Sequence, residues 1–154
     1  MYRRTSLPFV LLAALGLLLV TLSAPRALAA AEIVSISKDG VNIRSGPSTD
    51  HEVLWEVFKG FPLKVVGRKG KWVQVVDFEG DKGWVYGPLL SKSPTVIVKV
   101  DTANMRVGPG TNYEVVAQVK YGVVFTPLER QGEWVKVRHA DSTVGWIYAP
   151  LLWP

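Results

Sequence analysis

The 154-residue chain contains no cysteine, which at once removes disulfide staples, thiolate nucleophiles, cysteine metal ligands and a lipid-bearing N-terminal thiol. Histidine is nearly missing too. His51 and His139 are the only two, and they sit at non-equivalent places in the chain, so neither belongs to a repeated base or ligand set. Asp50, Glu52, Asp77 and Glu79 are carboxylates that could meet in space as a hydrolytic pair, but scattered surface acids are ordinarily just solvated. The residue inventory therefore assigns no catalytic residue, no metal ligand and no cofactor, and the expectation is a protein that is not an enzyme.

A basic stripe is also absent. The formal charge is +5, yet Arg3, Arg4 and Arg26 supply three of those charges, so the chain beyond residue 30 carries about +2 with both signs interspersed. No nucleic-acid partner is expected from such a distribution. Beyond residue 30 there is no long apolar run either. The one such run, Leu7 to Leu22, follows Arg3 and Arg4 and precedes the small-x-small sequence Ala27-Leu28-Ala29, the layout of a secretory signal peptide over 1–30. At 16 residues it falls short of the ~20 a helix needs to cross a bilayer. The expectation is an exported protein, periplasmic or secreted, with no stable membrane insertion after signal cleavage.

What the sequence does contain, it contains twice. Residues 41–90 align with 103–152 without a gap at an offset of 62, with about 20 identities. Asn42, Arg44, Gly46, Pro47 and Thr49 return as Asn104, Arg106, Gly108, Pro109 and Thr111; Gly83-Trp84-Val85-Tyr86 returns as Gly145-Trp146-Ile147-Tyr148. That period is too long for a solenoid or propeller and reads as a duplicated domain. Two units of about 60 residues are at the small end of what folds alone, so packing of one on the other is expected to contribute. The boundaries fall at 32–90 and 95–154, joined by a polar linker at 91–94.

Within each copy the periodicity is that of strands. Val41 and Ile43 alternate with Asn42 and Arg44, and Val53, Trp55 and Val57 with Leu54 and Glu56, while glycine and proline punctuate the intervals. About five short strands per copy, with no helix to cover a face, are best satisfied by a small, strongly bent antiparallel barrel.

The ordered set Asn-[Ile/Met]-Arg-x-Gly-Pro-[Ser/Gly]-Thr, then Gly-x-Trp-Val-x-Val, then Gly-Trp-[Val/Ile]-Tyr, occurring twice, resembles the bacterial Src-homology-3-like (SH3) domain. That resemblance implies an all-β protein: two small SH3-like antiparallel β-barrels in tandem after an N-terminal signal peptide. Members of the family often accompany cell-wall hydrolases and serve as targeting modules for peptidoglycan or protein partners. No catalytic domain is expected beside the repeats, so a targeting role is expected to lack an evident passenger.

Strand alternation sorts the repeated aromatics. In Trp72-Val73-Gln74-Val75 and Trp134-Val135-Lys136-Val137 the valines share one face, which places Trp72 and Trp134 on the wetter side, as roofs over a loop or as walls of a ligand groove. In the Gly-Trp-[Val/Ile]-Tyr strands, Trp84, Tyr86, Trp146 and Tyr148 point away from the core and are the foremost surface candidates. By resemblance, Tyr86 and Tyr148 occupy groove positions suited to an extended peptide. Arg44 and Arg106 precede the Gly-Pro turn, where a guanidinium either clamps a peptide carboxylate or holds loop carbonyls. Asn42 and Asn104 read as makers of turn hydrogen bonds. Trp55, opposite Ala117 in the alignment, reads as a repacked core position or an interdomain knob. The partner expected on these grounds is cell-wall peptide or peptidoglycan bound by a non-enzymatic module, with an envelope protein as the alternative.

Overall fold

The computed structural model describes residues 29–154; the leader expected over 1–30 lies, except for its last two residues, outside them. Among the described residues no helix is long and apolar enough to cross a membrane. About half of the described residues are in strands, and the only helical pieces among them are two short 3₁₀ turns. The first copy runs through β1 (Ile33–Ile36), β2 (Val41–Arg44), β3 (Val53–Val57), β4 (Pro62–Lys69), β5 (Trp72–Val76), β6 (Lys82–Tyr86) and β7 (Leu90–Ser91). The second repeats it as β8 (Val96–Val98), β9 (Thr102–Arg106), β10 (Val115–Lys120), β11 (Val124–Gln131), β12 (Trp134–Arg138), β13 (Val144–Tyr148) and β14 (Leu152–Trp153). A 3₁₀ turn, Gly87–Leu89 or Ala149–Leu151, precedes each last strand. Seven strands per copy exceed the five expected because β7 and β14, each of two residues, carry no alternation long enough to detect, and β1 and β8 lie outside the repeated segments 41–90 and 103–152.

Each copy forms one antiparallel sheet, in the order β3-β2-β6-β5-β4-β1-β7 and its counterpart β10-β9-β13-β12-β11-β8-β14. Such a sheet closes round a core only by bending, and both do so at the same places. Lys64 in β4 pairs with Ile33 on one side and Val76 on the other, so a single strand serves both walls. A register shift between Val65 and Gly67 in β4 is matched by one between Pro127 and Glu129 in β11. Bulges of this kind add local twist and tolerate proline.

Alternation then fills the interior. Ile43, Leu63, Val75 and Val85 are fully buried in the first barrel, and Met105, Phe125, Val137 and Ile147 in the second. The two cores are not independent. Ile97, on β8 of the second copy, is 0% exposed and belongs to the first copy's core, with Val124 and Trp153 packed against the same cluster. Ser35 Oγ donates to Ser93 O at 2.8 Å and Thr95 Oγ1 to Gly60 O at 2.7 Å, which pins the short joint to the first barrel. The Tyr121 hydroxyl donates to Glu79 across the same boundary, and its ring lies 5.2 Å from that of Phe78. Trp55 packs on the first core and borders this interface, with Ile97 and Tyr121 in the same cleft.

Candidate functional site

Each barrel carries a groove on its outer face, built from the residues that repeat. β5 and β6 are paired so that Trp72 lies opposite Tyr86; β12 and β13 place Trp134 opposite Tyr148. Cross-strand aromatics at this register pack against one another. The ring centroids are 5.6 Å apart in both pairs, tilted by 54° in the first and 51° in the second. Together with Asn42, Arg44, Thr49 and Leu89, Trp72 and Tyr86 line a groove of about 440 Å³. Asn104, Arg106, Thr111, Leu151, Trp134 and Tyr148 line one of about 580 Å³.

The opposite wall is a turn held by arginine. Arg44 Nη1 donates to Thr49 O at 3.1 Å and His51 O at 2.9 Å; Arg106 Nη1 donates to Thr111 O at 3.1 Å and Tyr113 O at 2.8 Å. A guanidinium presents several donors in one plane, so a single nitrogen can bind two carbonyls while the rest of the fork stays on the groove side. The turn is tight because its glycines lie flat against an aromatic ring. A Cβ on Gly46 would run into His51, and one on Gly108 into Tyr113. The mismatch of His51 with Tyr113 between copies thus preserves one task, covering the turn glycine.

The candidate aromatics therefore divide. Trp72, Tyr86, Trp134 and Tyr148 line the grooves, whereas Trp84 and Trp146 lie outside them. Trp146 is only 6% exposed, against the expectation of a surface side chain. Its cross-strand partners are Lys136 and Arg106, and Lys136 Nζ stands 6.0 Å from the ring centroid. The long Lys136 side chain stands over an indole that alternation alone would leave in water. Trp84, between Gln74 and Arg44, is half-buried.

Asn42 and Asn104, read from sequence as turn formers, are groove residues, and so are Thr49, Thr111, Leu89 and Leu151. The signal that could have found the last four was present: they are identical in both copies at the common offset.

The turns joining β5 to β6 and β12 to β13 have opposite electrostatics. Asp77 is buried and accepts from the backbone N–H groups of Glu79 and Asp81, both at 2.9 Å. Desolvation nevertheless raises its pKa above the usual carboxylate value, outweighing those two bonds. Asp141, in the second turn, is exposed and accepts from Thr143 N at 2.9 Å, with His139 Nδ1 at 3.0 Å. Those bonds, the Thr143 amide first, hold its pKa down at about 2. The sequence reading assigns no metal ligands, and the acidic group that folding assembles is Asp77, Glu79 and Asp81, whose ligand atoms lie within 4.8 Å of one another. These are the described residues that could hold a cation.

Comparison with known proteins follows from this geometry. The family model described as bacterial SH3 domain matches residues 37–92 and again 99–154. The chain belongs to the bacterial SH3 domain family. Both bacterial SH3 domains are shared with proteins named for wall hydrolysis. A Bacillus subtilis protein named as an N-acetylmuramoyl-L-alanine amidase, YrvJ, is 33% identical over 123 residues, which cover 73% of this chain and 24% of that protein. The Staphylococcus aureus protein named as cell wall amidase LytH is 36% identical over 128 residues, covering 68% of this chain and 43% of that one. The chain thus spans less than half the length of these relatives. Among solved structures, NlpC1 from Trichomonas vaginalis is similar over 90% of this chain and 51% of its own, at 17% identity and a TM-score of 0.35. An NlpC/P60 family protein from Bacillus cereus is similar over 79% and 55%, at 15% identity and a TM-score of 0.37.

The amidase names overturn the expectation of a non-enzymatic binding module, with its envelope-scaffold alternative. That expectation rested on the absence of cysteine, on two histidines at non-equivalent positions and on acids scattered along the sequence.

Proposed function

We propose that the chain acts in amide hydrolysis of the bacterial cell wall, its two grooves holding the peptide-bearing polymer while the bond is cut. The observation that carries this reading is a coincidence of two facts: the similarity to proteins named as wall amidases spans both barrels, and each barrel repeats an aromatic-walled groove at matching positions. Flat aromatic walls suit an extended backbone because stacking requires no side-chain code. In this reading Trp72 and Tyr86, and Trp134 and Tyr148, contact the peptide. Arg44 and Arg106 offer the unused part of their forks to its carboxylates, while Trp84 and Trp146 support the strands from outside the groove. Residues 1–30 serve as the export leader, placing the domains at 32–90 and 95–154, with their joint at 91–94, in the periplasm or outside the cell.

The test is to incubate the purified chain with insoluble peptidoglycan sacculi, following both sedimentation and release of free amino groups. The chain is expected to pellet with the sacculi and to raise amide cleavage. The Trp72→Ala/Trp134→Ala double variant, verified as folded by circular dichroism, is expected to stay in the supernatant. A wild-type chain that neither pellets nor raises cleavage refutes the proposal.

A further inference from the structure

The aromatic pairs of the two barrels differ at one edge. The Trp134–Tyr148 pair is bordered by Glu133, whose carboxylate accepts a hydrogen bond from the Tyr148 hydroxyl at 3.2 Å. Glu133 is exposed, and among the described residues it enters no ion pair. In the first barrel the same backbone slot holds Lys71: Gly87 N donates to Lys71 O at 2.8 Å just as Ala149 N donates to Glu133 O at 2.7 Å. One aromatic pair thus has a carboxylate at its edge, whereas the residue in the matching slot of the other barrel is a lysine.

Two tilted aromatic faces beside a carboxylate form a receptor for a cation, since the ring quadrupoles attract positive charge and the carboxylate supplies the counter-charge. We infer that the second groove recognises a primary ammonium on a peptide side chain through Trp134, Tyr148 and Glu133, and that the first groove rejects it. Lys99 and Arg130 line a pocket together with Glu133, but neither forms an ion pair with it. Arg106 Nη1 is directed to the turn carbonyls, Lys120 Nζ donates to Thr102 Oγ1 at 3.1 Å, and Arg130 Nε donates to Gly132 O at 3.0 Å. The hydrogen bond to Glu133 also raises the Tyr148 pKa, so the phenol remains a neutral donor and adds no competing charge. The inference rests on the peptide-binding reading of the grooves and assigns the second of them a ligand class.

The experiment is an NMR titration of ¹⁵N-labelled protein with two stem peptides, one with a free lysine side-chain amine and one acetylated there. The free amine is expected to shift the Trp134 indole N–H with an affinity at least about fivefold tighter than its acetylated twin. Glu133→Gln, on the rim and with an otherwise superimposable spectrum, is expected to equalise them. Lys71→Glu is expected to introduce the same preference at Trp72. Equal affinity of both peptides for the second groove, preference undiminished in Glu133→Gln, or no shift at Trp134 with either peptide overturns the inference. Sacculus retention measured on the same preparation separates that failure from failure of wall binding itself.

Discussion

The first barrel borrows part of its interior, and the second does not. Ile97, Val124 and Trp153 all come from the second copy and all pack on the first core, whereas the second core is composed of second-copy residues alone. The alignment shows where the asymmetry enters. Trp55 extends from the first core to the shared cleft, and its equivalent Ala117 packs, partly buried, against the second core. A duplication that starts with two equal units has become a supported unit and a supporting one. Small domains are marginal because too little of their surface is buried, and joining cores relieves that shortage for one of them.

The largest effect that could break this comparison is separation. The isolated first barrel, residues 32–92, is expected to melt at a markedly lower temperature than the intact chain, while isolated residues 93–154 retain a cooperative melt, both followed by circular dichroism. If the first barrel alone is the more stable of the two, the borrowed core is not a stabilising device. Within the intact chain, Ile97→Ala is expected to cost about 2–4 kcal/mol in chemical denaturation, the range for a fully buried aliphatic truncation. Val98→Ala, one residue on and buried in the second core, supplies the contrast: hydrogen exchange should rise first in the first barrel for the former variant and in the second for the latter.

The turns come next. Gly46→Ala and Gly108→Ala each force a ring off the turn backbone and are expected to cost about 1–3 kcal/mol, with the loss equal in the two barrels if His51 and Tyr113 serve one purpose. A cost confined to one copy would show that the ring exchange altered the turn.

The smallest effects are in pH. Asp141 has its folded pKa depressed to about 2, so its contribution is present above the ordinary value of 3.8 and is lost as pH falls toward 2. Asp77 is raised instead, so its burial disfavours the folded state while ionised and ceases to do so as it protonates on acidification. Carboxyl chemical shifts are expected to show Asp77 titrating above 3.8 and Asp141 well below. Tyr121, donating to Glu79, is pushed up to about 12 from 10.0. Its contribution is complete below 10.0 and fades through about 12, and ultraviolet titration should lose its latest phenol in Tyr121→Phe.

Much of the architecture was legible because duplication tests every pattern twice. A Val-x-Val alternation that appears at Val73 and again at Val135 fixes which face is core, and Gly-Pro turns at matched offsets fix where the strands reverse. The grooves were half legible. Trp72 and Tyr86 were visible as outward aromatics, but alternation reports only which face a side chain leaves from, never what lies above that face. That is why Trp146, with Lys136 over its ring, was read as surface. Strand propensity disfavours asparagine, so Asn42 was read as a maker of turn hydrogen bonds, and its place on the groove wall was not legible. The shared core was invisible, since Ile97 in Val-Ile-Val has the signature of any buried strand; which barrel receives it depends on how the sheets meet.

Ser35 and Thr95, by tying the joint to the first barrel, turn the pair of grooves into a gauge. A flexible tether would let two weak sites sample many spans, with an effective concentration set by linker length. A pinned joint offers one span. Under the proposed function, a polymer whose peptides recur at that interval would engage both grooves at once, and one whose peptides recur at any other interval would engage them singly, so binding would depend on the spacing of the wall as well as on its chemistry.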